Sequence, residues 1–352
     1  MRFLVTVIAT VTVAVASVQA LAIRTTPSNP TLYVFGDSLS DIGTLKELTL
    51  GIVPPAPYWN GRFSSGPVWN EYLALLLDYN LYNKAIGGST ANNADTTLID
   101  ILGIEIPSTQ DQINAFKLLF PFYTFDSTRS KDIAVLEVGA NDYFADQTKL
   151  ANGTISVHSF IDTLATTVVN QLDQLRRIGF KNIIVANMAA IQYTPMATGG
   201  NTAALAASVV TGYNSLLATK ANAWANSYSD IKFAISDIGG YVDISVNSAA
   251  IVSALGLADT ATACTSGIDI KTFGQLVSDI LGGTTKCANP STNYFFDSVH
   301  PAERVHRLFG YYAWKSISAF LSGKTYALTE ANLLSLISMY NLGTVAPKPA
   351  SI

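Results

Sequence analysis

The chain is sparing with the residues on which metal, redox and polyanion chemistry depend. It holds two cysteines, Cys264 and Cys287, and three histidines among 352 residues. No paired cysteine cluster and no His-Glu-x-x-His segment can be assembled from them, so neither a metal nor a cofactor is expected. A complete phosphate loop is also missing, since Gly282-Gly283-Thr284-Thr285-Lys286 is only a fragment of one. Charged residues make up 13% of the chain, the formal net charge is -4 and no run of Lys or Arg stands out. That balance argues against nucleic acid or an anionic membrane as the main partner.

Long apolar runs are confined to the start. Arg2, the apolar stretch Phe3 to Val15 and the small residues of Val18-Gln19-Ala20 read as a secretory signal, removed after Ala20. A membrane anchor is the rival reading, but the run carries several Thr and is short for a span. The tail Val345-Ala346-Pro347-Lys348-Pro349 has no hydrophobic end of the kind a lipid-anchor signal needs. The mature chain, residues 21–352, is therefore expected to be secreted and soluble, without stable membrane insertion. In an oxidising compartment the separation of Cys264 and Cys287 suits a disulfide closing a surface loop, worth roughly 3 kcal/mol by loop closure, with two buried free thiols as the alternative. Asn152-Gly153-Thr154 is a glycosylation sequon among polar residues.

Within the mature chain, apolar β-type runs at Leu32–Phe35, Leu81–Ile86, Asp132–Val138, Lys181–Ala186 and Ile231–Ser236 alternate with helical patterns. Helices are expected at Pro67–Leu77, Pro107–Leu119, Ser159–Ile178, Asn201–Ser227 and Glu303–Leu321, the first beginning at its proline. Between them lies a proline-shaped loop, Leu45 to Trp59, and the mixed segment Tyr58-Trp59-Asn60-Gly61-Arg62-Phe63, suited equally to a cleft rim or to ordinary packing. Such alternation predicts an α/β fold with a central parallel sheet covered on both faces. No linker, low-complexity tract or repeat divides it, so a single domain is expected.

In a parallel sheet, ligands bind where the carboxyl ends of the strands meet. Three strands run into glycine turns that carry chemistry-bearing residues: Ser38 after the first, Gly88 after the second, Asn141 after the third. A fourth piece, Asp297-Ser298-Val299-His300, places an acid three residues before a histidine, close enough to orient the ring for proton transfer. Of the other histidines, His158 reads as surface and His306 as a capping or solvent-exposed residue of the last helix. Ser38 on a strand-ending turn is a candidate nucleophile, while the backbone N–H of Gly88 and the amide of Asn141 can face an oxyanion. Each alone is more often a plain turn residue; in this order and placement they form a constellation.

These segments resemble the conserved blocks of the GDSL, or SGNH, hydrolases. Phe35-Gly36-Asp37-Ser38-Leu39-Ser40-Asp41 is similar to the first block, Asn83 to Thr90 to the second, Gly139-Ala140-Asn141-Asp142 to the third and Asp297 to His300 to the last. Pro57 to Trp69 is similar to a segment of the secreted lipase, phospholipase and hemolysin-like branch. The resemblance spans about Leu32 to Phe320. It implies a three-layer α/β/α sandwich of flavodoxin-like type and a triad of Ser38, His300 and Asp297. It further implies an oxyanion hole from Ser38, Gly88 and Asn141, with Asp37 and Asp142 holding their turns. Two departures bear on pocket shape: Met188-Ala189-Ala190-Ile191-Gln192 stands where relatives often carry a proline-rich turn, and Glu137, read as a paired carboxylate, occupies a usually apolar strand position. The implied activity is hydrolysis of carboxylic esters, lipid or acylated sugar, rising through roughly pH 6 to 7 as the histidine becomes neutral. Alternatives on the same site are a phospholipase, an acyltransferase and a carbohydrate acetylesterase. The alternative of another class is a secreted binding or virulence protein with a vestigial site.

Overall fold

The computed structural model describes residues 29–93, 105–120, 129–266 and 286–344. The expected signal segment and most of the Gly282 to Lys286 fragment lie outside the described residues. In chain order the elements begin with β1 (Thr31–Gly36), α1 (Thr44–Leu48), α2 (Trp69–Leu77), β2 (Asn80–Asn83), α3 (Thr109–Leu119) and β3 (Ile133–Glu137). Next come α4 (Ala140–Ala151), α5 (Val157–Ile178), β4 (Asn182–Ala186), α6 (Pro195–Gly199), α7 (Ala203–Asn226) and β5 (Lys232–Ser236). The last third holds α8 (Ile238–Asn247), α9 (Ala249–Ala254), β6 (Asp259–Ala263), β7 (Asn293–Phe295), α10 (Glu303–Leu321) and α11 (Glu330–Tyr340).

β1 to β5 form one parallel sheet in the order β2-β1-β3-β4-β5. Period-two alternation sends its side chains to two separate cores. Leu32, Val34, Ile133, Val135 and Ile184 pack against α2, α8, α10 and α11. On the opposite face Tyr33, Phe35, Leu136, Ile183 and Val185 meet α3, α5 and α7. The α/β expectation holds, and the strand order places a topological switch point between β1 and β3. There the chain leaves the two strand ends in opposite directions and opens a crevice.

Several boundaries differ from the sequence expectation for identifiable reasons. α2 opens at Trp69, not at Pro67, because the Glu71 carboxylate reaches back to the Val68 N–H (2.9 Å) and caps the helix there. α3 starts at Thr109 behind a reciprocal cap, with Ser108 Oγ accepting from the Asp111 N–H while Asp111 accepts from Ser108 N. β2 is shorter than the apolar run, since Ala85 and Ile86 have already turned toward the glycines. Helices α1, α4, α6, α8, α9 and α11 and the short β6/β7 pair were not anticipated, and α1 occupies the start of the expected Leu45 to Trp59 loop; α9, six residues long, is too short to show a period.

Cys264 and Cys287 are joined by a disulfide, with Cα atoms 4.8 Å apart. Asn152 follows α4 and is exposed, its side-chain oxygen accepting from Thr154 N and Oγ1. Among the described residues no helix is long and apolar enough to cross a membrane.

Candidate active site

Ser38 sits two residues beyond β1, on a turn closed by the Ser40 N–H to Asp37 O bond. Asp37 Oδ1 accepts the Leu39 N–H (3.0 Å) within that turn, as expected of it. The 297–301 loop follows β7 and folds on itself, Phe296 N donating to His300 O at 2.7 Å. Across the crevice, Ser38 Oγ lies 2.7 Å from His300 Nε2, and His300 Nδ1 lies 2.7 Å from Asp297 Oδ2. An ionised carboxylate only accepts, so Nδ1 carries the proton and Nε2 is left to accept from the serine hydroxyl.

Asp297 is buried and accepts four hydrogen bonds. Val299 N (2.8 Å) and His300 N (2.6 Å) donate to Oδ1, while Tyr58 OH (2.6 Å) joins His300 Nδ1 on Oδ2. Burial alone would raise this carboxyl, but the His300 charge and the converging donors outweigh it and hold the group below the usual carboxylate range. For His300 the balance is the mirror image. Burial opposes the imidazolium, yet the charge and hydrogen bond of Asp297, with a smaller contribution from Asp37, raise it above the ordinary histidine value.

Tyr58 was read from sequence only as one of several rim aromatics. It is buried, edge-on to Phe63 and Phe296, and hydrogen-bonded to Asp297. Arg62 fastens the segment it belongs to, pairing with Glu71 and lying over the Trp59 ring. Proximity of Tyr58 to Asp297 spans 239 positions, so no local pattern could have revealed it.

The second turn needs its glycines. Gly88 adopts φ +86°, a left-handed conformation open to glycine, and a Cβ on Gly87 would fall 2.2 Å from the Phe63 ring. Asp41 holds the turn from one side, its Oδ2 accepting Gly87 N (2.8 Å), and Asp142 holds it from the other through both oxygens on Ala91 N. Asp142 thus secures the neighbouring turn. Gln112 links Gly36 to Ser89 Oγ, a further support the sequence did not flag. Asn141 lies in the first turn of α4 and donates one amide hydrogen to Ser89 O (3.0 Å), leaving the other for a ligand.

Glu137, at the end of β3, pairs with no cation among the described residues. Its Oε2 accepts from Ser40 Oγ (3.0 Å), which in turn accepts from Trp69 Nε1 (3.1 Å). Burial is the main cause raising both Glu137 and Asp37, and the charge of Glu137 raises Asp37 further. Asp37 Oδ2 is buried and has no hydrogen-bond partner among the described residues. The expectation for His306 is corrected more sharply. This residue is buried beside the crevice, and burial together with the nearby His300 lowers it to about 3. His158 is exposed at the start of α5, as expected.

A cavity of about 710 Å³ opens on Ser38 and His300, bordered by Gly88 and Asn141 on one side and by apolar side chains such as Phe63, Phe144 and Ile191. The family model described as GDSL-like lipase/acylhydrolase matches residues 32–312. The chain belongs to this family of ester-bond hydrolases. The chain is 31% identical over 210 residues to a phosphatidylcholine-sterol acyltransferase of Aeromonas hydrophila, covering 56% of this chain and 57% of that one. It thus spans somewhat over half the length of that relative. With a GDSL esterase/lipase of Arabidopsis thaliana it shares 24% identity over 352 residues, 89% of this chain and 94% of the other. Among solved structures, a carbohydrate acetylesterase of Sinorhizobium meliloti matches 82% of this chain and 99% of its own at 11% identity, with a TM-score of 0.43.

Proposed function

We propose that this GDSL hydrolase is a secreted serine esterase or lipase that cleaves carboxylic esters through an acyl-enzyme. The unbroken path from Ser38 Oγ through His300 to Asp297, with 2.7 Å at each step, carries this reading. His300 Nε2 takes the hydroxyl proton as Ser38 attacks the ester carbonyl. The tetrahedral oxyanion meets the N–H groups of Ser38 and Gly88 and the free amide hydrogen of Asn141, donors of a kind worth about 3 kcal/mol each. Collapse expels the alcohol, which takes the proton from His300, and a water deprotonated by the same nitrogen then releases the acid. No cofactor enters these steps. The residues that hold the turns, Asp37, Asp41 and Asp142, act by position.

Export is supported by the N-terminal apolar segment and by the Cys264–Cys287 disulfide, with Asn152 exposed for glycosylation. Residues 21–352 would act as one domain. Activity found with the cells and not in the medium would count against secretion. A second reading, transfer of the acyl group to an alcohol in place of water, is favoured by the identity to the phosphatidylcholine-sterol acyltransferase. The acyl-enzyme is common to both, and product analysis with an alcohol present separates them.

The deciding experiment is hydrolysis of p-nitrophenyl esters from acetate to palmitate, with Ser38→Ala alongside. Loss of turnover in a folded Ser38→Ala protein is expected, and the chain-length profile then distinguishes esterase from lipase. Retention of appreciable activity by that variant would sink the proposal.

A further inference from the structure

His306 is not used by the mechanism above. It lies in the second turn of α10, lines the cavity that contains Ser38 and His300, and is 4% exposed. Its Nε2 is fully buried and has no hydrogen-bond partner among the described residues. The side chains that share this wall are differently placed. Trp69, Tyr241 and Phe309 pack together, with ring centroids 5.4 Å and 4.8 Å from Phe309. Their polar atoms are committed elsewhere, Trp69 Nε1 to Ser40 Oγ and Tyr241 OH to Val305 O at 2.7 Å. A buried nitrogen left without a partner is costly, so a group that would complete it is expected in the cavity.

The chemistry of that group follows from the ring. Burial and the charge of His300 keep the His306 imidazole neutral at ordinary pH. A neutral imidazole donates from one nitrogen and accepts at the other, which matches a hydroxyl and gives an anion no countercharge. Its side of the site follows from the proton path. His300 hands its proton to the departing alcohol, so the alcohol portion of the ester lies beside His300, and His306 follows on the same loop and helix, near enough for the two rings to sense each other electrostatically. We propose that His306 binds a second hydroxyl on the alcohol portion of the substrate, so that the site selects esters of polyhydroxylated alcohols, glycerol or a sugar, over esters of simple alkanols. This inference rests on the acyl-enzyme reading, because that reading assigns the alcohol to the His300 side.

The test compares glycerol 1-butyrate with n-propyl butyrate, which share the acyl group and differ by two hydroxyls on a three-carbon alcohol. In the wild type, kcat/KM is expected to favour the glycerol ester by about tenfold, the worth of one good neutral hydrogen bond. In His306→Leu that ratio should fall close to one, and His306→Gln, which keeps a donor and an acceptor, should restore part of it. A wild-type ratio near one, or an unchanged ratio in folded His306→Leu, overturns the proposal; an equal loss on both esters marks a merely structural role and overturns it too. Should His306→Leu fail to fold, the wild-type ratio and His306→Gln decide. Ser38→Ala measured on both esters keeps the two ideas apart: turnover surviving in it refutes the acyl-enzyme, whereas Ser38-dependent turnover with a flat ratio refutes only the role of His306.

Discussion

Replacing Tyr58 by Phe removes one donor from Asp297, the proposed triad acid, and leaves its neighbours in place. The ring contacts to Phe63 and Phe296, with centroids 5.8 Å and 5.2 Å away, are retained. What is lost is the 2.6 Å bond from Tyr58 OH to Asp297 Oδ2. A hydrogen bond to a charged group contributes roughly 1.5–3 kcal/mol. Three donors remain on Asp297, which favours the lower end, so kcat/KM should fall about tenfold if the loss is expressed in the transition state. Direction matters more than size. With one donor fewer, the carboxylate charge leans more heavily on its bond to His300 and stabilises the imidazolium. The proposed mechanism needs the neutral ring, and His300 is already raised by Asp297, so the wild-type acid limb should lie above the ordinary imidazole value of about 6.5. That shifts upward the rise through roughly pH 6 to 7 inferred from sequence. In Tyr58→Phe the limb should move higher still. Measurement of kcat/KM for p-nitrophenyl butyrate between pH 5 and 9, on both proteins, checks this. A limb moving to lower pH, or a variant within twofold of wild type with its limb unmoved, would refute the reasoning.

Two further outcomes are expected. Asn141→Ala should lower kcat about a hundredfold while changing KM little, because its free amide hydrogen is called on only as the oxyanion forms; a loss under threefold in the kinetics would remove Asn141 from that role. Glu137→Gln should change stability with a definite sign. A carboxyl raised in the folded state binds its proton more tightly folded than unfolded, so it subtracts stability as pH climbs past the unfolded value near 4. The variant should therefore melt roughly 2 to 4 °C above wild type at pH 7 to 8 and show no gain at pH 4, and thermal scans giving the opposite order would discard the acid-pair account.

The sequence by itself determined the α/β class and the five strands of the sheet, because the continuous apolar runs of β1, β3 and β4 and the 3.6-residue apolar pattern of α5 are local and strong. It also singled out Ser38, Gly88, Asn141, Asp297 and His300, since strand-ending glycine turns and an acid three residues before a histidine are legible within a few positions. Tertiary structure alone decided how they meet. The strand order set the crevice between β1 and β3, and only then did Ser38 and His300, 262 positions apart, come to lie 2.7 Å from one another. The same holds for the residues whose meaning changed. Tyr58 became the partner of Asp297, Asp142 the anchor of Ala91, and Glu137 one half of a buried acid pair with Asp37. His306, flanked by Arg304 and Arg307 in sequence, looked like a solvent-facing position. The arginines turn to carbonyls of Leu255 and Leu342, and the imidazole between them is buried against the cavity. Burial and long-range pairing are properties of the packed layers, and no window of sequence contains them.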